Sequence, residues 1–155
     1  MKEEVIELDT VDKYNKFFGV ETYHPMVTMV DLSKITQPAQ PFTINYGIYA
    51  LFLKDTLCGD ITYGRQPYDY QEGTIVCFAP GQVASIHAQE GTRPTGYGLL
   101  FHPDLIHGTQ LGHDIRNYSF FSYEAREALH LSEEERHTVI DCLHKIDTEL
   151  RRPAD

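Results

Sequence analysis

A strand-turn-strand pattern between Tyr68 and Gln82 limits the folds open to this chain more than any other stretch. Thr74 to Phe78 is rich in β-branched and aromatic residues, which favour a pleated sheet. Gly73 stands directly before this run, where glycine can take a positive φ without steric cost and let the chain reverse. Pro80-Gly81 follows it and stops the strand. The stretch therefore predicts a β-hairpin.

Other short strand patterns recur along the chain, separated by glycine and proline. Phe42 to Lys54 is the longest, and because both of its faces are largely apolar we expect one central strand there. The remaining candidates are Pro25 to Asp31, Ile61 to Gly64, Gly96 to Phe101 and Tyr118 to Tyr123. Many short strands with this punctuation are typical of a sandwich or barrel.

The hairpin pattern resembles the middle of a cupin-type jelly-roll barrel. The resemblance implies a mainly β fold: a cupin-like jelly-roll barrel with a short N-terminal helix and C-terminal helices. Metal-binding cupins carry a His-x-His pair and a Glu before the glycine, and a further His after the Pro-Gly turn. Here Ile61 to Tyr70 contains no histidine, and His87 comes late after Pro80-Gly81. We therefore expect no metal and no cofactor.

The remaining chemistry-bearing residues show no catalytic pattern. His102, His107 and His113 are spaced by five and six residues, so they would not share one face of a helix. The chain contains neither the Gly-x-Ser-x-Gly motif of serine hydrolases nor a glycine-rich phosphate loop. We expect no catalytic residues and a protein that is not an enzyme.

Two helices are predicted at the ends of the chain. Residues 9–18 form an amphipathic segment that Asp9 or Thr10 can cap and that Gly19 can end. Near the other end, Ser132 and Glu135 have the spacing of a capping box, which predicts a helix from Glu133 to Arg151. These patterns divide the domain into a barrel at 1–123 and a helical segment at 124–155.

The C-terminal helix carries an apolar stripe with the spacing of a helix–helix contact. We predict that this stripe forms a dimer interface. The alternative is that it packs on its own barrel. The stripe consists of Val139, Leu143, Ile146 and Leu150.

The chain is rich in aromatic residues, with ten Tyr and eight Phe. A tyrosine ring is apolar but carries a hydroxyl group, so a row of them pointing inward can line a pocket for a sugar or an aromatic acid. The alternative is that these rings simply fill the core. The predicted ligand-binding residues are Tyr46, Tyr63, Tyr70, Phe78, Tyr97 and Phe101.

Composition narrows the possible partners and the compartment. The net charge of -10 opposes binding to nucleic acid, which depends on clustered Lys and Arg. We expect no membrane segment, because no apolar run is long enough to span a bilayer. The acidic N-terminus does not resemble a signal peptide, so we expect a cytoplasmic protein.

The chain has three cysteines, an odd number, and they are widely spaced: Cys58, Cys77 and Cys142. This arrangement predicts reduced thiols.

A second resemblance covers most of residues 24–150. Tyr63 to Gln66, Tyr97 to Ile106, Tyr118 to Tyr123 and Glu127 to Ser132, together with the hairpin, resemble the N-terminal sensor domain of AraC-type transcriptional regulators. In that family a metal-free cupin barrel binds an effector, helices after the barrel form a dimer, and a separate domain binds DNA. The chain ends at Asp155, where the linker to such a domain would begin.

The sequence therefore leads to one hypothesis and two alternatives. The hypothesis is a non-catalytic effector-sensing and dimerisation domain, which forms a homodimer and reaches DNA only through a C-terminal domain absent from this chain. The effector would be a small molecule such as a sugar. The alternatives are a metal-dependent cupin isomerase or oxygenase, and a stand-alone carbohydrate-binding module.

Overall fold

The protein has a mixed, sheet-rich fold, seen here in a computed structural model. The structure describes residues 5–35, 42–56, 60–63, 66–67, 74–87, 95–117 and 129–152. Within these residues the chain forms two β-sheets and three α-helices. The helices are α1 (Val11–Phe18), α2 (Gln110–Asp114) and α3 (Glu133–Arg151), with short 3-10 helices at Leu32–Lys34, Pro103–Leu105 and Ile115–Asn117.

Ten strands are described, several of them short. In chain order they are β1 (Val5–Leu8), β2 (Val27–Asp31), β3 (Phe42–Tyr46), β4 (Tyr49–Thr56), β5 (Asp60–Tyr63), β6 (Gln66–Pro67), β7 (Thr74–Phe78), β8 (Val83–His87), β9 (Thr95–Phe101) and β10 (Leu129–His130). Sheet A has the order β1-β3-β8-β5-β6 and sheet B the order β10-β7-β4-β9-β2. All neighbours are antiparallel except β1 and β3, which are parallel.

The two sheets enclose a shared apolar core. Ile44 on sheet A and Leu100 on sheet B are fully buried in it, and Tyr46 of sheet A stacks on Phe78 of sheet B with ring centroids 4.7 Å apart. Helix α1 adds Tyr14 and other apolar side chains to the same core. Among the residues described, no strand of one sheet pairs with a strand of the other, so the ladders that would close a barrel are not seen there.

The prediction of one long strand from Phe42 to Lys54 was wrong. The chain leaves sheet A after Tyr46 and enters sheet B at Tyr49. Gly47 lies at this crossing, where a Cβ atom would come within 2.6 Å of the Asp9 Cβ, so the close approach requires glycine. Alternate residues of this segment nevertheless share one environment on both sides of the crossing, because Ile44, Tyr46, Ile48, Ala50 and Phe52 all belong to the core between the sheets.

Local signals in the sequence predicted several elements correctly. In α1, the Thr10 side chain accepts a hydrogen bond from the Lys13 N–H, and Gly19 ends the helix with φ 73°. Strand β7 spans Thr74–Phe78 as expected, and Pro80 and Gly81 form the turn after it. Strands β1 and β8 were not predicted. The Gly73 turn and the Tyr118 to Tyr123 strand lie outside the described residues.

Candidate functional site

Two of the predicted ligand-binding residues lie together between the sheets. Tyr46 and Phe78 are each 2% exposed, and both rings also contact Phe52, at centroid distances of 6.5 and 6.2 Å. These three rings form an aromatic group that links sheet A to sheet B. Its members are packed into the core, as the alternative interpretation of the aromatic residues expected.

Two further predicted ligand residues, Tyr97 and Phe101, lie on the opposite face of sheet B. Side chains alternate along a strand, so β9 directs Leu100 into the core and Tyr97 and Phe101 toward α3. Tyr97 meets the His144 ring edge-to-face at 5.4 Å, and Phe101 stacks on Tyr49 at 5.2 Å. The structure therefore does not bring the predicted residues into one pocket.

The last two predicted ligand residues have no described side chain. Tyr63 belongs to β5, but only its backbone is described, and Tyr70 lies outside the described residues.

Lys54 is a buried cation that the sequence analysis did not select. It is 8% exposed and lies on the same face of β4 as Phe52, and its Nζ atom is 5.6 Å from the centroid of that ring. A lysine ammonium is attracted to the face of an aromatic ring, so Lys54 adds a positive charge to the aromatic group and is a candidate for function. The alternation of β4 is enough to place Lys54 on the face of Phe52. It could not predict its burial, which depends on neighbouring strands.

Helix α3 packs on the outer face of sheet B. Leu143 is 3% exposed and belongs to a buried cluster with Tyr49, Leu53, Ile75 and Cys77, while Val139 is partly buried against the same cluster. The helix begins with the predicted capping box: the Ser132 hydroxyl accepts from the Glu135 N–H, and the Glu135 carboxylate accepts from the Ser132 N–H. Leu143 thus stabilises the contact of α3 with its own sheet. The dimer prediction then depends on the partly exposed positions of the stripe.

A cleft of about 830 Å³ opens between the C-terminal half of α3, the ends of β2 and β9, and the segment after β9. Its apolar lining comes from three parts of the chain. Sheet B supplies Val27, Leu99 and Phe101; the segment after β9 supplies Leu105, Ile106 and Leu111; and α3 supplies Ile146 and Leu150. Two members of the predicted dimer stripe therefore line this cleft.

Charged and polar groups also line the cleft. Lys145 and Glu149 come from α3, Arg152 directly follows this helix, and Tyr23 and His24 come from the loop after α1. Arg152 pairs with Glu149 at 3.3 Å on the exposed surface. The Nδ1 atom of His24 accepts a hydrogen bond from the Met26 N–H, so the neutral ring carries its proton on Nε2.

Sequence reasoning missed the cleft because its walls come from distant parts of the chain. A local signal existed in Leu105 and Leu111, which are 42% and 43% exposed in a segment without strand or helix periodicity. Apolar side chains that are not needed for a core often mark a binding surface.

Side chains that could bind a metal ion or act as nucleophiles are also present in the described part of the chain. Within the described ranges, no three His, Cys, Asp or Glu side chains come together as metal ligands. Burial raises the pKa of the Cys77 thiol to about 12, so it stays protonated at neutral pH. Cys77 therefore contributes to the packing of the buried cluster under α3.

The sequence matches no protein-family model, and a search of curated proteins gave no match either. Of the helices that the structure describes, none has both the length and the apolar character needed to cross a membrane.

Proposed function

We propose that this chain is the effector-sensing and dimerisation domain of an AraC-type transcriptional regulator, with a cupin-like jelly-roll architecture and no catalytic activity. The proposal extends the sequence resemblance with one structural observation. Strand β4 presents Phe52 and Lys54 on its inner face, whereas Leu53 on its outer face belongs to the cluster that holds α3. One strand thus contributes side chains both to the interior and to the buried cluster under the C-terminal helix.

This arrangement supports a mechanism for sensing. Because the aromatic group is packed in this structure, a small polar effector would enter between the sheets only in an arrangement that separates these rings. It would then contact the aromatic group and Lys54, and the shift of β4 would reach Leu143 through Leu53. An effector can change the position of α3 only if it binds one arrangement more tightly than the other. In a full regulator, α3 would then transmit its position to a second copy and to the DNA-binding domain.

Sedimentation tests the part of this proposal that concerns dimerisation through α3. We expect the chain to sediment as a dimer and Ile146→Glu to sediment as a monomer, because Ile146 is a partly exposed member of the stripe. Thr148→Glu is the matched control, since it adds the same charge at an exposed position of α3 outside the stripe. Leu143→Glu is a poor test because that side chain is buried against its own sheet. A dimer that survives Ile146→Glu would contradict the predicted interface.

Ligand screening tests the part of the proposal that concerns effector binding between the sheets. A panel of monosaccharides and aromatic acids is screened for compounds that raise the unfolding temperature of the chain. Lys54→Met retains the length of the side chain but removes its charge, so we expect it to abolish the shift caused by a charged or hydroxyl-rich effector. Elemental analysis of the purified protein separates this proposal from the metal-dependent cupin enzyme, which requires a stoichiometric metal ion.

A further inference from the structure

We propose that the cleft between α3 and the outer face of sheet B is a separate binding site for a small organic anion with an apolar body. The site differs from the interior region of the proposed effector because it lies on the other face of sheet B. Its volume of about 830 Å³ is within the usual range for pockets that hold small molecules.

The apolar part of the ligand follows from the distribution of exposed hydrophobic side chains. Leu105, Leu111 and Tyr23 are 42%, 43% and 48% exposed, and all three line this one cleft. Phe101 and Leu99 of β9 form its floor and are only partly buried. Concentration of incompletely buried apolar groups around one concavity indicates a ligand that removes them from water.

The charged side chains at the rim of the cleft indicate that the ligand is an anion. Lys145 has no ion pair or hydrogen bond among the residues that the structure describes, so its ammonium group can bind an external anion. Arg152 and Glu149 compensate each other at 3.3 Å, which leaves the rim with an excess of positive charge. This excess contrasts with a chain whose net charge is -10. An anionic head group at Lys145 with an apolar body over Leu99 and Phe101 fits both parts of the cleft.

The test uses 8-anilinonaphthalene-1-sulfonate, a fluorescent organic anion with an aromatic body. We expect saturable binding with one site per chain. Decanoate should displace the probe at a concentration about two- to fivefold lower than decan-1-ol, which has the same body without the charge. Lys145→Gln should weaken the affinity by about two- to fivefold, as for an exposed charge pair. Leu111→Asp should weaken it by about tenfold, since it removes apolar contact and adds a repelling charge.

Matched controls separate this site from non-specific binding. Lys16→Gln removes a lysine charge on α1, where Lys16 pairs with Asp12, and Val5→Asp adds an acid at a 58% exposed apolar position on β1. Neither control residue lines the cleft, and neither variant should change the affinity. Circular dichroism and thermal unfolding verify that each variant is folded. Leu105→Asp, at another exposed wall position, replaces Leu111→Asp if that variant does not fold.

Three results would overturn the proposal. One is the absence of saturable binding, and the second is an affinity that neither cleft variant changes. The third is loss of probe binding as the chain dimerises, with Leu111→Asp preventing dimerisation, which would show that a second copy occupies the cleft. Failure of this experiment would leave the proposed sensing function standing, because that function places its effector between the sheets and is tested with Lys54→Met. The third result would agree with the proposed dimer interface, since Ile146 and Leu150 line the cleft.

Discussion

Tyr23 and Arg151, which are 128 residues apart in the sequence, contact each other at one end of α3. The Arg151 Nη1 atom donates a hydrogen bond to the Tyr23 hydroxyl oxygen at 3.2 Å, and the guanidinium carbon lies 5.1 Å from the centroid of the tyrosine ring. Arg151 also binds the Asp147 carboxylate one turn earlier, at 3.1 Å. The contact joins the loop after α1 to the last turn of the C-terminal helix beside the cleft.

We expect Tyr23→Ala to release the last turn of α3. Because the contact is exposed, amide hydrogen exchange near residues 148–152 should rise by about two- to fivefold, the range for an exposed cation–π pair. Tyr23→Phe keeps the ring and loses only the hydrogen bond, so its effect should be smaller. Hydrogen-exchange mass spectrometry measures the change. Equal exchange in Tyr23→Ala and the wild type would show that the contact does not hold the helix in solution.

Leu143→Ala should lower the free energy of unfolding by about 2–4 kcal/mol, because it leaves a cavity in the buried cluster under α3. Leu150→Ala is the matched control on the same helix. Leu150 is only partly buried, so its truncation should cost less. Urea unfolding of both variants and the wild type gives the values. Similar costs for the two positions would contradict the docking of α3 through Leu143.

The capping box predicts a pH dependence. Hydrogen bonds from the Ser132 backbone and side chain lower the pKa of the Glu135 carboxyl. The ionised carboxylate therefore stabilises the fold above its usual pKa, and this contribution is lost as the pH falls through the lowered value. Glu135→Gln should reduce the unfolding temperature at pH about 7. Its difference from the wild type should shrink as the pH falls below the usual glutamate pKa of about 4.3, and vanish once the pH is below the lowered pKa of Glu135.

Two variants control this experiment. Glu134→Gln removes a charge from the same first turn of α3 without breaking the cap, so it should have the smaller effect at neutral pH. Ser132→Ala should destabilise the helix by about 1 kcal/mol. A Glu135→Gln effect that is the same at both pH values would contradict the role of the ionised carboxylate.

The cysteines should differ in reactivity. Burial raises the pKa of the Cys77 thiol to about 12, whereas Cys142 is exposed on α3. In a Cys58→Ser background, iodoacetamide at pH about 8 should label Cys142 and leave Cys77 unmodified until the protein unfolds. Peptide mass spectrometry locates the label. Modification of Cys77 in the folded protein at a rate like that of Cys142 would show that α3 does not cover it.

The correct predictions all came from signals that act within a few residues. The Ser132 and Glu135 pair predicted the start of α3, and the Thr10 and Gly19 caps predicted the limits of α1, because capping depends on atoms within one helical turn. The alternation from Ile44 to Phe52 grouped side chains that do share the core, but both faces of this segment are largely apolar, so it did not show which face lies inside. The crossing at Gly47 escaped prediction because it depends on Asp9, which is far away in the sequence.

The candidate sites were less accessible to sequence reasoning. An aromatic side chain in a strand points to one of the two faces of its sheet. Only the positions of the neighbouring elements decide what covers each face. Tyr46 and Tyr97 therefore looked alike in the sequence, yet one lies between the sheets and the other lies under α3. The cleft beside Lys145 combines three separate segments, so no local pattern could predict it.

By itself, the sequence determined the helix limits, the direction of side chains along the strands and the apolar stripe of α3, since these depend on short-range hydrogen bonds and on periodicity. Only the tertiary structure decided that Leu143 packs on its own sheet, that Lys54 is buried beside Phe52 and that a cleft opens under the end of α3. These features depend on which distant surfaces come together to exclude water, and that choice is made by the whole fold.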